Sequence, residues 1–294
     1  MVKLGMVGKT LIHNYPYGAY FNGTDAEVLE ERCTKAWMLE LIRGRFPEPA
    51  TEGSRITHVW AGVREEAEAI AAGCLIPNVC DASEEVVEAV DGLLVLDEEM
   101  ESRTEAVEAA LRAGKSVFVD KVPAATPERT RELVDLAVDS DLRIAAWSQL
   151  LFAPEAAPLR GVEGGAGLVT FNLAPDIVEI YGVHLVCSAF AAFGHDPVAM
   201  AGLGAGPGGV PSMHMRYADG KDVMLRAGSD VPPRGNVAYI GKDRGIEMVS
   251  LMDMAAMFDG SAAALARMFE DGEWPLPPEA IVRMSEAVAM LCGG

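Results

Sequence analysis

The chain has 294 residues, half of them hydrophobic, which is enough for one large domain or two ordinary ones. Lys and Arg number 24 against 44 Asp and Glu, a formal charge of −20, so the chain lacks the basic face that nucleic acid or an anionic membrane would demand. The five cysteines form no CxxC pair, which predicts reduced thiols in a cytoplasm rather than a disulfide scaffold or a zinc site, and no cluster of side chains has metal-ligand spacing.

In chain order, VKLGMVG (2–8) reads as a short buried strand, followed by a long, partly helical segment from about Asp25 to Arg45. THVWAG (57–62) is a second strand and REEAEAIAAGCL (64–75) an amphipathic helix. NVCDA (78–82) is a weak third strand, and SEEVVEAV after it a short helix. DGLLVLD (91–97) is a strong strand, and the helix ESRTEAVEAALRAG stops at Gly114, placed as a C′ glycine. SVFVDK (116–121) is another strand. TPERTRELVDLAVDSD is a helix capped by Thr126 with Pro127 in its first position, and RIAAWSQL (143–150) closes the series. Apolar strands separated by amphipathic helices predict an α/β architecture: a doubly wound parallel sheet covered on both faces, with ligands at the carboxyl ends of its strands. Glu65, Glu66, Glu68, Glu84, Glu85 and Glu88 fall on helix faces and are expected in solvent.

The second half is richer in Gly and Pro, and its strands follow one another at 167–174, 212–220, 222–228, 236–241 and 245–250. ADGKD joins two of them as a hairpin. One apolar helix interrupts them at about 177–194, and two more close the chain at about 251–270 and 278–292. This order predicts an α+β domain with a largely antiparallel open sheet. The expected division is 1–122 for a Rossmann-like domain and 123–294 for the second, with 126–150 packing back on the first. The glycine-rich GLGAGPGGV (202–210) is expected to be a loop. No apolar run reaches the ~18 residues of a membrane span.

The first turn, GMVGKT, invites two readings. A phosphate-wrapping GxxxxGK[ST] loop would need glycine at position 3, which is Lys3, and the strand runs up to Gly8 with no room for such a loop. A dinucleotide turn fits the position better. With Gly8 as its first glycine, the second and third fall on Thr10 and His13, so GxGxxG has become G-K-T-L-I-H. Gly8, Lys9, Thr10 and His13 are therefore the candidates for contact with a dinucleotide. Thr10 adds bulk at the pyrophosphate and His13 would widen the turn. Asp97 at the end of the fourth strand and Arg103 in the next helix either face a cofactor or cap and solvate that helix.

Four segments resemble the Gfo/Idh/MocA family (glucose–fructose oxidoreductase, inositol dehydrogenase and MocA), of which this sequence looks like a divergent member: YPYGAYFNGTD (15–25), THVWAGVREEAEAIA (57–71), AGKSVFVDKVPAAT (113–126) and EIYGVHLVCSAFAAFG (179–194). The third matches the family's Glu/Asp-Lys-Pro segment, and the fourth the helix that carries its histidine. The resemblance implies hydride transfer between NAD or NADP and a sugar-like or polyol-like small molecule. Lys121, preceded by Asp120, would sit beside the nicotinamide and the reacting oxygen. His184 would be the general acid/base, with Tyr181 as an alternative donor. The bland readings are a lysine ending a strand in solvent and a core histidine. The family proline is one place late, at Pro123, and the aspartate four residues before the histidine is Ile180. The acidic ribose ligand after the second strand is replaced by Gly62-Val63-Arg64, and Arg64 either meets the 2′-phosphate of NADP or lies on a helix surface. A homodimer or homotetramer through the C-terminal sheet is also implied. Two other classes stay open: a lyase, dehydratase or epimerase on the same scaffold with altered or lost cofactor use, and a non-catalytic sensor or partner protein.

Overall fold

The computed structural model describes residues 1–33, 35–174, 177–205, 211–231 and 235–293. These divide into two compact units, Met1–Ala146 with Phe258–Pro278, and Trp147–Met257 with Glu279–Gly294. The division thus falls at 146/147 rather than at 122, and the chain re-enters the first unit near its end.

The first unit is a six-stranded sheet of β1 (Val2–Gly8), β2 (Ser54–Ala61), β3 (Asn78–Val79), β4 (Gly92–Val95), β5 (Ser116–Asp120) and β6 (Ile144–Trp147), in the order β3-β2-β1-β4-β5-β6. β1 runs parallel to both β2 and β4, which places the topological switch point between β1 and β4. Leu4, Met6, Leu93, Leu94, Val117, Phe118 and Val119 are buried on both faces of the sheet, which is why these strands are uninterruptedly apolar. The helices that cover it are α1 (Asn14–Asn22), α2 (Ala26–Arg32), α3 (Ala36–Ile42), α4 (Arg64–Gly73), α5 (Ser83–Ala89), α6 (Met100–Arg112) and α7 (Pro127–Asp139). In α4 the buried Ala67, Ile70 and Ala71 repeat at helical spacing while Glu65 and Glu68 face solvent. Thr126 caps α7 by accepting from the Arg129 amide at 3.2 Å, and Gly114 ends α6 at φ +74. The partly helical segment expected from about Asp25 to Arg45 holds two helices, α2 and α3, parted where Cys33 leaves the helical conformation.

The second unit holds β7 (Ala166–Phe171), the apolar helix α8 (Val178–Phe193), β8 (Ala199–Ala205), β9 (Pro211–Arg216), β10 (Asp222–Ala227), β11 (Gly235–Gly241) and β12 (Gly245–Leu251). Their order is β12-β11-β7-β10-β9-β8, antiparallel but for the parallel pair β7–β10. The hairpin at ADGKD closes through Tyr217 and Lys221. The expected loop at 202–210 is only partly one: residues 202–205 finish β8, and 206–210 lie outside the described residues. The chain ends with α9 (Met254–Asp271) and α10 (Pro278–Leu291). From Phe258 onward α9 belongs to the first unit, where Ser261 Oγ lies 2.8 Å from Tyr17 Oη and Phe258 packs edge-on against Tyr17.

Candidate functional site

In the first unit the candidate residues gather at the carboxyl ends of β1, β4 and β5. The turn after β1 is pinned from two sides. Gly62, just past β2, donates to the Lys9 carbonyl at 3.2 Å, and a Cβ on Gly62 would stand 2.6 Å from that oxygen, so only glycine allows the approach. On the β4 side Ile12 N donates to Leu96 O at 3.0 Å, Glu98 N donates to Thr10 O at 3.2 Å, and Leu11 and Asp97 form an antiparallel bridge. The buried Asp97 carboxylate accepts from Lys9 N at 2.8 Å, Thr10 N at 3.2 Å, Glu99 N at 3.1 Å and Ser102 Oγ at 2.7 Å. Free backbone amides after the first strand are what such a fold offers to an anion. Here a side-chain anion holds them.

His13 stands at the N-cap position of α1 in the left-handed region at φ 58, and its side chain is buried. Nδ1 lies 2.8 Å from Asp120 Oδ2 at the end of β5, with ring edges against Trp37 and Phe258. The side chain thus ties the start of α1 to the end of β5. Burial pushes the Asp120 carboxyl up, but the charge and hydrogen bond of His13, with Lys121 and Arg103 nearby, outweigh it and hold the group below the usual carboxylate range. Asp120 Oδ1 and both polar side-chain atoms of Asn14 are buried with no hydrogen-bond partner.

Lys121 is fully buried, which removes the reading of a lysine ending a strand in solvent. Its φ of +82 is a conformation that a side chain with a Cβ adopts at a cost. Nζ lies 3.4 Å from Glu98 Oε1, a partner one residue past Asp97. Arg103, also buried, donates to the carbonyls of Asp97, Glu98 and Val122 and so braces the loops after β4 and β5. Arg64 is half exposed and pairs with Glu68 and Asp81. A cleft of about 470 Å³ beside the turn is lined by Thr10, Tyr15, Arg32, Lys35, Glu65 and Glu66.

In the second unit His184, on α8, is buried, and its Nδ1 lies 2.6 Å from Ser148 Oγ. The rings of Phe171 and Tyr181 flank it at 5.4 and 5.5 Å. Ile180, where an aspartate was sought, is partly exposed; the orienting oxygen comes from Ser148, whose amide donates to Cys187 Sγ at 3.3 Å. Ser148, Glu98 and the inward turn of Asp97 carry no local signal in the sequence, since each contact is made far along the chain or by backbone direction. Among the described residues no group of three or more His, Cys, Asp or Glu is placed to hold a metal, and no helix is long and apolar enough to cross a membrane.

Residues 5–146 match the model of the Gfo/Idh/MocA oxidoreductase family, NAD-binding Rossmann fold. These residues carry the Rossmann unit that the Gfo/Idh/MocA family model describes. Gfo/Idh/MocA oxidoreductases are NAD-binding, and the first unit is the corresponding Rossmann unit. No curated protein matches the sequence. Solved structures match nearly its whole length. A dehydrogenase from Clostridium difficile is 12% identical at TM-score 0.68, over 98% of this chain and 97% of that one. Apo scyllo-inositol dehydrogenase from Lactobacillus casei is 10% identical at 0.66, over 100% and 95%. Biliverdin reductase from Synechocystis, in complex with biliverdin and NADP+, is 16% identical at 0.64, over 99% and 98%. At these identities the likeness is one of fold. Within the Gfo/Idh/MocA frame, the donor set of the first turn fits a phosphate, because the Lys9 and Thr10 amides already hold two anionic oxygens.

Proposed function

We propose that the chain is an NAD(P)-dependent oxidoreductase acting on a small hydroxylated or carbonyl compound of the sugar or polyol class. The observation that carries this reading is Lys121: a fully buried lysine held in a strained backbone conformation at the carboxyl end of a central strand. Buried charge and strain together are costly and are concentrated at working sites. When bound, the nicotinamide supplies or accepts the hydride. The chain's own groups manage the oxygen and its proton. The Lys121 ammonium donates to the reacting oxygen, stabilising an alkoxide or polarising a carbonyl. His184 exchanges the hydroxyl proton through Nε2, while Ser148 fixes the ring through Nδ1. The Gly8–Thr10 turn is assigned the pyrophosphate, and the exposed Arg64 with the cleft beside the turn favours a place for a ribose phosphate.

Lys121→Met is expected to cut turnover by roughly 10²–10⁴-fold while dinucleotide affinity, read from nicotinamide fluorescence, stays level. Full turnover in that variant would overturn the assignment. The carboxylate lodged in the first turn favours one other reading, a lyase, dehydratase or epimerase that makes no net use of a dinucleotide. Substrate turnover with no change at the nicotinamide absorbance band would decide for it. The five free cysteines are consistent with a reducing cytoplasm. The second unit's sheet supports a further proposal, a homo-oligomer in which the apolar outer face of one copy covers that of another.

A further inference from the structure

We infer that Asp97 is an internal competitor for the pyrophosphate of the dinucleotide, so that the cofactor binds only by displacing this carboxylate from the turn after β1. The inference rests on the reading of the first unit as an NAD(P) site.

Three observations converge on it. The sheet's switch point lies between β1 and β4, where a ligand of a doubly wound sheet enters between the strand ends. In this chain that crevice is closed by main-chain bonds between the two loops, Ile12 N to Leu96 O and Glu98 N to Thr10 O, around the Leu11–Asp97 bridge. The two amides with phosphate-binding position, Lys9 N and Thr10 N, are each taken by a separate oxygen of the Asp97 carboxylate. Glu99 N and Ser102 Oγ complete a four-donor cage around an almost fully buried anion. A phosphate oxygen and a carboxylate oxygen cannot share one N–H at hydrogen-bond distance, and two anions so placed repel. The occupancy is therefore exclusive. Asp97 satisfies amides that a three-glycine turn would leave for its ligand, and the competition makes binding weaker than the donor set alone would give.

The test uses the full chain and its Asp97→Asn and Ser102→Ala variants, titrated by calorimetry with NADH, NADPH, ADP-ribose and adenosine. Asp97→Asn removes the charge, and Ser102→Ala removes one donor that holds it in place. The expected result is a gain of about tenfold or more in affinity for the three pyrophosphate ligands in Asp97→Asn, a smaller gain in Ser102→Ala, and no gain for adenosine, which carries no phosphate. Equal or weaker binding of the pyrophosphate ligands by both variants overturns the competition and leaves the NAD(P) reading standing. Gains that extend equally to adenosine also overturn it, since they would report a general loosening of the crevice. No binding of either dinucleotide by any of the three proteins overturns the NAD(P) reading and this inference together. If Asp97→Asn does not fold, judged by its melting transition, the Ser102→Ala comparison decides alone.

Discussion

Asp120 carries a stability term whose sign follows from its surroundings. Its folded-state carboxyl is held below the usual range by His13, Lys121 and Arg103 against the opposing effect of burial. A depressed carboxylate stabilises the fold fully above its unfolded value, ordinarily near 3.9, and the contribution is lost as pH falls through the lower folded value. Asp120→Asn should therefore cost about 1.5–3 kcal/mol at pH 7, the worth of a hydrogen bond to a charged group, and progressively less below about pH 4. Urea unfolding of both proteins across that range measures it; a cost that does not shrink in acid would show that the ionised carboxylate is not the stabilising form. At this scale the sequence reading singled out Lys121 and Asp120 from a motif at a strand end and His184 from a helix, and all three are buried. It could not find Ser148, because the partner of a buried imidazole is fixed by which strand end the helix packs on, 36 residues away. Nor could it orient Asp97 or Arg103. Both stood as cofactor candidates or helix caps. Asp97 fills the turn and also accepts from Glu99 N and Ser102 Oγ at the start of α6, and Arg103 turns to the carbonyls of the β4 and β5 loops.

The turn after β1 stands or falls with its neighbours as an element. Gly62 has its hypothetical Cβ 2.6 Å from a backbone oxygen, which cannot rotate away as a side chain would. Gly62→Ala should push the Lys9 carbonyl aside and destabilise the protein by about 1–3 kcal/mol, the usual cost of overpacking, seen as a lower denaturation midpoint with an unchanged slope. A neutral outcome would mean that this turn is loose. Thr126→Ala is a milder case: losing one cap bond to the Arg129 amide should cost about 1 kcal/mol. The helices and strands of the first half were legible because a parallel sheet buries both strand faces, so period 3.6 and unbroken apolar runs alternate cleanly. β8 was not, since AMAGLGA has no β-branched residue and three of its neighbours in sequence are glycines. Within the partly helical stretch 25–45 the break between α2 and α3 could not be placed, because Cys33 carries no Gly or Pro signal.

Over the whole molecule, two kinds of unit were foreseen, but not the return of 258–278 to the first. That return is a tertiary fact: Phe258 against His13 and Ser261 on Tyr17 are meetings of segments more than 240 residues apart, with nothing local to announce them. The second unit's sheet bears on assembly. Val169, Val223, Leu225, Val237 and Tyr239 are buried on its inner face, while the cross-strand row Met224–Leu168–Ala238–Met248 lies on the other. Beside that row Ile240 pairs with Ile246. Ile246 and Met248 are 71% and 75% exposed, the kind of contiguous apolar surface that monomers rarely keep. The row alternates with polar positions, Thr170, Asn236 and Ser250, so a second copy of the same face can meet it about a two-fold axis with apolar strips opposed and polar margins wet. Ile246→Glu with Met248→Glu puts like charges at the centre of that contact in both copies. The native chain should sediment as a dimer or tetramer at micromolar concentration, and the double variant as a monomer whose melting curve still shows folded units. A native protein that sediments as a monomer across that concentration range would remove the proposed pairing, and a variant that stays associated would move it to another surface.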